Sequence, residues 1–209
     1  MSGRRLLVLG AGGHSKVVIE VARAGEWRPI AAVDPGVQGE VLGVPVYRHD
    51  DDDVAKLWAA RRFDAVVVAI GDNRLRQKLA ERMRDIGCPT PAIIHPAAII
   101  SPTARIDGGV VVMAGAIINA NAHIGQDSIV NTGAIVEHDC VLGVAVHAAP
   151  RSVLAGSCVV GARALLGVGS VARPGTRIGA DAIVGAGSAV VSNIADGWVA
   201  GGAPARRIR

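Results

Sequence analysis

From Ala92 to Asn193 the chain divides without a gap into seventeen consecutive hexads, beginning AIIHPA, AIISPT, ARIDGG and ending AIVGAG, SAVVSN. Their third position is Ile, Leu or Val in all but two hexads, which carry Ala148 and Ala172. Their first position is always Ala, Ser, Thr, Cys or Val. Positions one and three lie two residues apart, so on a strand they face the same side. Gly, Asn and Asp recur at positions four to six, where the chain has to bend and in places needs a positive φ. Each hexad therefore predicts one short strand and a corner. Three hexads make a triangular coil of eighteen residues, with aliphatic ladders inside and a stack roughly 25–30 Å long. Position-two residues point outward, and many are apolar, among them Ile99, Val111, Ile117, Ile129, Ile135 and Val141. Apolar residues on an outer face call for burial, and packing between copies of the chain is the economical expectation.

The first ninety residues have a different pattern. Arg4–Leu9 reads as a buried strand and runs into Gly10-Ala11-Gly12-Gly13-His14, followed by helical spacing over Ser15–Ala24. Pro29–Val33 reads as a second strand ending at Asp34, Asp50–Arg62 as a helix with an acidic start, and Ala65–Ile70 as a third strand. Asp72 or Asn73 can cap a further helix through Ile86, closed by Gly87. Alternating strands and helices predict a small, Rossmann-like parallel α/β domain over residues 1–90. An all-β domain with a C-terminal tail then occupies residues 91–209.

Composition agrees. Half the residues are apolar, yet only five are aromatic: Trp27, Tyr47, Trp58, Phe63 and Trp198. A narrow prism has no room for rings. The formal charge of +4 is dispersed, and neither a basic stripe nor stacking aromatics point to nucleic acid. Cys88, Cys140 and Cys158 are odd in number and far apart, which suits reduced thiols in a cytoplasm. No apolar run of eighteen residues predicts a membrane span, and Met1–Gly13 is too short and Gly-rich for a signal peptide.

Two places can carry chemistry. The Gly-rich turn before the first helix can hold an anion through backbone N–H groups and the helix N-terminus. A dinucleotide fingerprint fails there because Ser15 stands where the third Gly belongs, and a purely structural turn is the plain alternative. Among the six histidines, His49 lies in a loop, His95 precedes Pro96 at a corner, and His123 faces outward at position two. His138 differs, because it projects from a corner at position five. Ala120 one coil earlier and Gly156 one coil later leave open space beside it, and Glu137 and Asp139 flank it. A carboxylate can hold one ring nitrogen as a donor and leave the other free to take a proton.

The hexads resemble those of the hexapeptide-repeat acyltransferases, which implies that the coils form a left-handed parallel β-helix and that the chain is a homotrimer. Asn131–Gly143 (NTGAIVEHDCVLG), followed by His147, is similar to the active-site stretch of the PglD/NeuD group of that superfamily. Gly10, Gly13 and His14 match the group's opening motif, and Asp34 its strand-end acid. Ile70-Gly71-Asp72-Asn73 with Arg76 match a further segment, and Gly202-Ala203-Pro204-Ala205-Arg206 match its closing one.

The resemblance implies acetyl-CoA-dependent N-acetylation of a nucleotide-linked amino sugar of the 4-amino-4,6-dideoxy type, without a metal. His138 would be the general base, with Asp139 fixing its tautomer and raising its basicity. Gly12, Gly13, His14, Asp34, Pro35 and Gly71 would hold the nucleotide part, and Asn131 would orient the acceptor end. His147, Gly156, Val168 and Ala186 would touch acetyl-CoA. Three residues depart from the group's pattern: Gly12 stands where Ser is frequent, Pro35 replaces an acid, and Arg151 stands at a usual Gly bend. Competing readings are O-acetylation of a sialic-acid-like sugar, a carbonic-anhydrase-like trimer holding metal on His123, His138 and His147, and a non-catalytic trimer that only binds a nucleotide sugar.

Overall fold

The structure, a computed structural model, describes residues 3–48 and 51–208. His49 and Asp50 lie outside the described residues. The chain opens with strand β1 (Arg4–Leu9), helix α1 (Gly13–Ala24) and strand β2 (Trp27–Val33). A hairpin of β3 (Gly39–Val41) and β4 (Val44–Tyr47) follows, then α2 (Asp51–Ala59), β5 (Ala65–Val68) and α3 (Asn73–Asp85). The sheet order is β3-β4-β2-β1-β5, with only β3 antiparallel to its neighbour. Gly10 links β1 to α1 at φ 104°, where a Cβ would meet the Ala69 carbonyl oxygen at 3.0 Å. Asp72 caps α3, its Oδ1 accepting from the Leu75 N–H at 2.8 Å.

Several details differ from the sequence expectation: β2 begins at Trp27 rather than Pro29 and α1 at Gly13 rather than Ser15, and three further differences concern α2, β5 and a hairpin. Helix α2 stops at Ala59 rather than Arg62, because Arg61 turns the chain at φ 54°. Strand β5 stops at Val68, because the Ile70 carbonyl is bent away to a buried arginine. The β3–β4 hairpin was not foreseen. Its tight turn uses Leu42-Gly43, at φ 50° and 74°, instead of the Asn-Gly or Asp-Gly pair that advertises such a turn.

From Ile93–Ile94 to Ala189–Val190 a two-residue strand occurs every six residues. Strands eighteen residues apart pair in parallel, as in Ile117 with Ile135 and Ile135 with Val153. They form three flat faces of a left-handed β-helix. The first face contains Val111–Val112, Ile129–Val130 and His147–Ala148, the second Ile117–Ile118 and Ile135–Val136, and the third His123–Ile124 and Val141–Leu142. The hexad's third residue fills the interior: Val112, Ile118, Ile124, Val130 and Val136 are fully buried there. The sixth residue makes each corner. Every sixth residue from Gly109 to Gly187 has a positive φ, whether Gly, Asn, Asp, Ser, Ala or Arg. Beyond the hexads, Val199–Gly201 extends the first face and pairs antiparallel with Arg206–Arg207, while Trp198 packs on the end of the interior. Cys140 and Cys158 are buried and, like Cys88, free. Among the described residues no helix is long and apolar enough to cross a membrane.

The α/β unit sits on the first face. Ile93, Val111 and Ile129 form one core cluster with Val18, Ile19 and Val21 of α1. This corrects the expectation for those three outward residues, whose cover comes from their own chain. Ile99, Val141 and Val171 on the other faces are exposed. At the corner between the third and first faces, Arg76 of α3 is only 1% exposed. All five of its N–H groups are used: Nε to the Asp127 carbonyl at 2.7 Å, Nη1 to those of Ile70 and Gly71, and Nη2 to the Ala145 carbonyl and Asn73 Oδ1. Arg84 adds a two-pronged pair to the buried Asp127 carboxylate, both contacts at 2.8 Å. Asn73 donates to the Arg163 and Ala164 carbonyls. Replacing Arg76 by Met strands several buried carbonyls without donors. Denaturant unfolding of that variant is expected to show a loss of at least about 3 kcal/mol; a loss within experimental scatter would show that the clamp carries no stability.

Candidate active site

His138 occupies the corner between the second and third faces, directly after the Ile135–Val136 strand. The backbone fixes it on both sides, because Asp139 turns at φ 58° and its N–H donates to the Ala120 carbonyl one coil below. The ring lies over Gly156 in the coil above, where a Cβ would come within 2.5 Å of the imidazole Cε1 and Nε2. Only glycine at 156 lets the ring take this place. His138 Nδ1 is 2.8 Å from Asp139 Oδ2, and Asn121 donates to the other carboxylate oxygen at 3.3 Å. Glu137 accepts from the His138 backbone N–H. With Nδ1 bound to a carboxylate, Nε2 is the free nitrogen. The Asp139 hydrogen bond raises the His138 pKa above its ordinary value, with the charges of Asp139 and Glu137 in support. The side chain is 59% exposed, so one side of the ring faces away from its own chain.

A second polar cluster lies on the first face, where the α/β unit meets the coils. His147 Nε2 accepts from Asn131 Nδ2 at 3.0 Å, and Gly71 lines the same cleft as the ring. His14 lies beside it, ring centroids 6.2 Å apart, with a buried Nε2 that has no hydrogen-bond partner. Burial, reinforced by the Arg76 charge, lowers both imidazole pKa values to about 4. Both rings are therefore neutral near pH 7. The cleft that Gly71 and His147 share is about 490 Å³, lined further by Asn73, Arg74, Arg163 and Asp181.

Gly12 caps α1 and Gly13 begins it, and a Cβ on either would meet nothing within 4 Å. Packing does not demand glycine there, which leaves the turn's backbone open to a ligand. Asp34 is already employed: Oδ2 accepts from the Ala11 N–H at 2.9 Å and Oδ1 from the Gly36 N–H at 2.8 Å. It locks the Gly-rich turn to the end of β2, a role that the sequence reading missed. Pro35 follows it, exposed, with its carbonyl accepting from Arg48.

The sequence-derived residues thus fall into separate places. Asp139 and Gly156 adjoin His138. Gly71, His14, Asn131 and His147 gather on the first face, beside the turn carrying Gly12 and Gly13. Val168 and Ala186, both exposed, stand one coil apart at the corner between the first and second faces. The covered first face is the one that the His138 corner does not border, so one chain does not bring these groups together. Of the remaining histidines, His123 pairs with Asp107 at 2.9 Å and His95 Nδ1 accepts from the Ala97 N–H. His123, His138 and His147 lie on three different parts of the coil. Among the described residues no group of three or more His, Cys, Asp or Glu side chains converges to hold a metal ion.

Comparison with known proteins fits this geometry. The family model for the PglD N-terminal domain matches residues 5–83. A curated relative, UDP-N-acetylbacillosamine N-acetyltransferase of Bacillus subtilis (strain 168), is 40% identical over 112 residues; the match spans 53% of this chain and 52%, about half, of the relative. Among solved structures, a histidine-to-alanine variant of GDP-perosamine N-acetyltransferase from Caulobacter crescentus, in complex with CoA and GDP-perosamine, is 47% identical. It superposes with a TM-score of 0.92 over 99% of this chain and 97% of that one. The acetyltransferase domain of PglB from Neisseria gonorrhoeae FA1090, in complex with acetyl coenzyme A, is 38% identical with a TM-score of 0.92, covering 99% of this chain and all of that one. Sharing sequence and architecture with the Caulobacter and Neisseria structures over nearly its whole length, the chain belongs to the PglD-like sugar acetyltransferases.

Proposed function

We propose that this chain transfers the acetyl group of acetyl-CoA to the free amine of a nucleotide-linked amino sugar, of the 4-amino-4,6-dideoxy type, with His138 as general base. The observation that carries the reading is the His138–Asp139 pair at 2.8 Å, with Nε2 free beside the bare face of Gly156. The amine nitrogen adds to the thioester carbon. As the C–N bond forms, its proton passes to His138 Nε2, and Asp139 stabilises the resulting imidazolium. The C–S bond then breaks, and the departing CoA thiolate takes that proton. The Caulobacter structures support the acceptor and donor classes, since GDP-perosamine and CoA are bound there. Replacement of one histidine by alanine or asparagine in two of them supports a histidine base. The relatives' names favour N- over O-acetylation.

In this reading residues 1–90 hold the nucleotide part, through the open turn at Gly12, Gly13 and His14, with Asp34, Pro35 and Gly71. Asn131 orients the acceptor. Residues 91–209 provide the base and the acetyl-CoA groove, with His147, Gly156, Val168 and Ala186 as contacts. The site is completed between copies of a homotrimer: an exposed His138 on one copy needs a wall, and the His14–Asn131–His147 cluster on a second needs a base. Exposed Ile99, Val141 and Val171 suit burial in such an assembly. Three free cysteines suit a cytoplasmic setting.

His138→Ala is expected to lower thiol release from acetyl-CoA, with an amino sugar nucleotide as acceptor, by about 10²–10⁴-fold while CoA binding persists; wild-type turnover in that variant would remove the base. The pKa direction gives a second test. Activity should rise with pH as His138 loses its proton. Asp139→Asn should move that rise, and the imidazole titration followed by NMR, to lower pH; an unmoved titration would mean that Asp139 does not control the ring.

A further inference from the structure

The corner between the first and second faces is built alike in five successive coils. Residues 115, 133, 151, 169 and 187 all turn the chain at positive φ, between 57° and 69°. Four of the five are glycine and the third is Arg151. An L side chain adopts this conformation reluctantly, and nothing in the corner's packing asks for one. A Cβ on Gly169 or Gly187 would meet nothing within 4 Å.

Another arginine in the same backbone state has an evident structural reason. Arg163, at φ 60° on the corner between the third and first faces, grips Asp181 with two contacts of 2.8 Å and reaches Gln77 of α3. Arg151 has no such reason. Its guanidinium is exposed and makes no hydrogen bond or ion pair among the described residues.

Its direction is informative. The Arg151 Cγ lies 3.5 Å from where a Cβ on Gly133 would stand, so the side chain folds down over Gly133 toward the coil of Asn131 and Thr132. The Arg151 N–H donates to the Thr132 carbonyl at 2.9 Å. Asn131, the residue that bonds His147, begins the turn at Gly133, so Arg151 packs on the turn that leaves the His14–Asn131–His147 cluster. It leans away from Val168 and Ala186, which lie in the coils above.

We propose that Arg151 is a substrate-binding residue that grips the diphosphate of the nucleotide-linked acceptor and so sets acceptor affinity. The inference rests on the acetyl-transfer reading above and adds a specific contact to it. A guanidinium presents a planar fork of donors that matches phosphate oxygens in pairs. Both substrates of the proposed reaction carry a diphosphate, but they carry it at different distances from the reacting atoms. In a nucleotide sugar it joins the sugar directly. In acetyl-CoA the pantetheine arm separates it from the thioester, and that arm would run along the upper coils.

The test is Arg151→Gly, which gives this corner the residue of the other four coils. Nucleotide amino sugar and acetyl-CoA are varied in steady-state kinetics, and GDP, UDP, dTDP and CoA are titrated separately by calorimetry. The expected result is a rise of at least about tenfold in the acceptor KM and in the Kd of the nucleoside diphosphate that wild-type binds best. The CoA Kd, the acetyl-CoA KM and kcat should stay within about threefold, less than a lost direct contact would change them. The melting temperature should hold or rise, since the strained turn is relieved. Arg151→Lys should recover part of the affinity.

Unchanged acceptor KM and diphosphate Kd would overturn the proposal. So would a loss confined to CoA, a fall in melting temperature accompanying loss of both ligands, or a wild-type protein that binds none of the three nucleoside diphosphates. A protein that binds a nucleoside diphosphate through Arg151 yet releases no thiol with any amino sugar nucleotide would sink the acetyl-transfer reading and leave this contact standing.

Discussion

One buried guanidinium holds the two parts of the molecule in relation. Arg76 leaves water completely, and burial pulls its pKa down to about 10 against the opposing charges of Asp127 and Asp72. Such burial is tolerable only because each of its five N–H groups finds an oxygen. Two of those oxygens are backbone carbonyls of the coil, at Asp127 and Ala145, and two are carbonyls of the loop between β5 and α3, at Ile70 and Gly71. The α/β unit is thereby set on one face of the prism. The same charge reaches His14 and His147 and adds to the burial that keeps both neutral. Docking and site electrostatics therefore share a cause.

The coil imposes the second constraint. A period of six in sequence and eighteen in space decides which residues can be neighbours. His138 and Gly156 are eighteen apart and touch across one corner. The α/β unit covers the face that this corner does not border. A base on one side and an open glycine turn on the other are of little use within one chain. The proposed trimer resolves this by letting the corner of one copy meet the covered face of another.

Much of this was legible in the sequence, because periodicity is a direct signal. Interior positions, small first residues and bends at the sixth position follow from the hexads, and the His138 corner with its bare neighbour at 156 follows from counting. What the period cannot show is which face is covered. Ile93, Val111 and Ile129 look the same in the hexad pattern as Ile99, yet only Ile99 is exposed. The β3–β4 hairpin escaped because Leu42-Gly43 carries no conventional turn signal. Asp34 reads as a ligand contact, and its second task, accepting from the Ala11 and Gly36 N–H groups, shows only once the folded turn brings them near. Arg76 was visible as one letter of a motif, without its five partners. Gly156 and Val168 are twelve apart, which places them on different corners; Val168 and Ala186 are eighteen apart and share one.

The central claim is that the base and the His14–Asn131–His147 cluster of one site come from different copies of the chain. Mixing decides it most directly: His138→Ala and His14→Ala chains are denatured, combined in equal amounts and refolded together, and thiol release is compared with each variant refolded alone. If neighbouring copies share each site, random mixing restores about a quarter of wild-type activity, because one site in four then draws both intact histidines from different chains. If the mixture is no more active than its two components, each site lies within a single chain and the account is wrong.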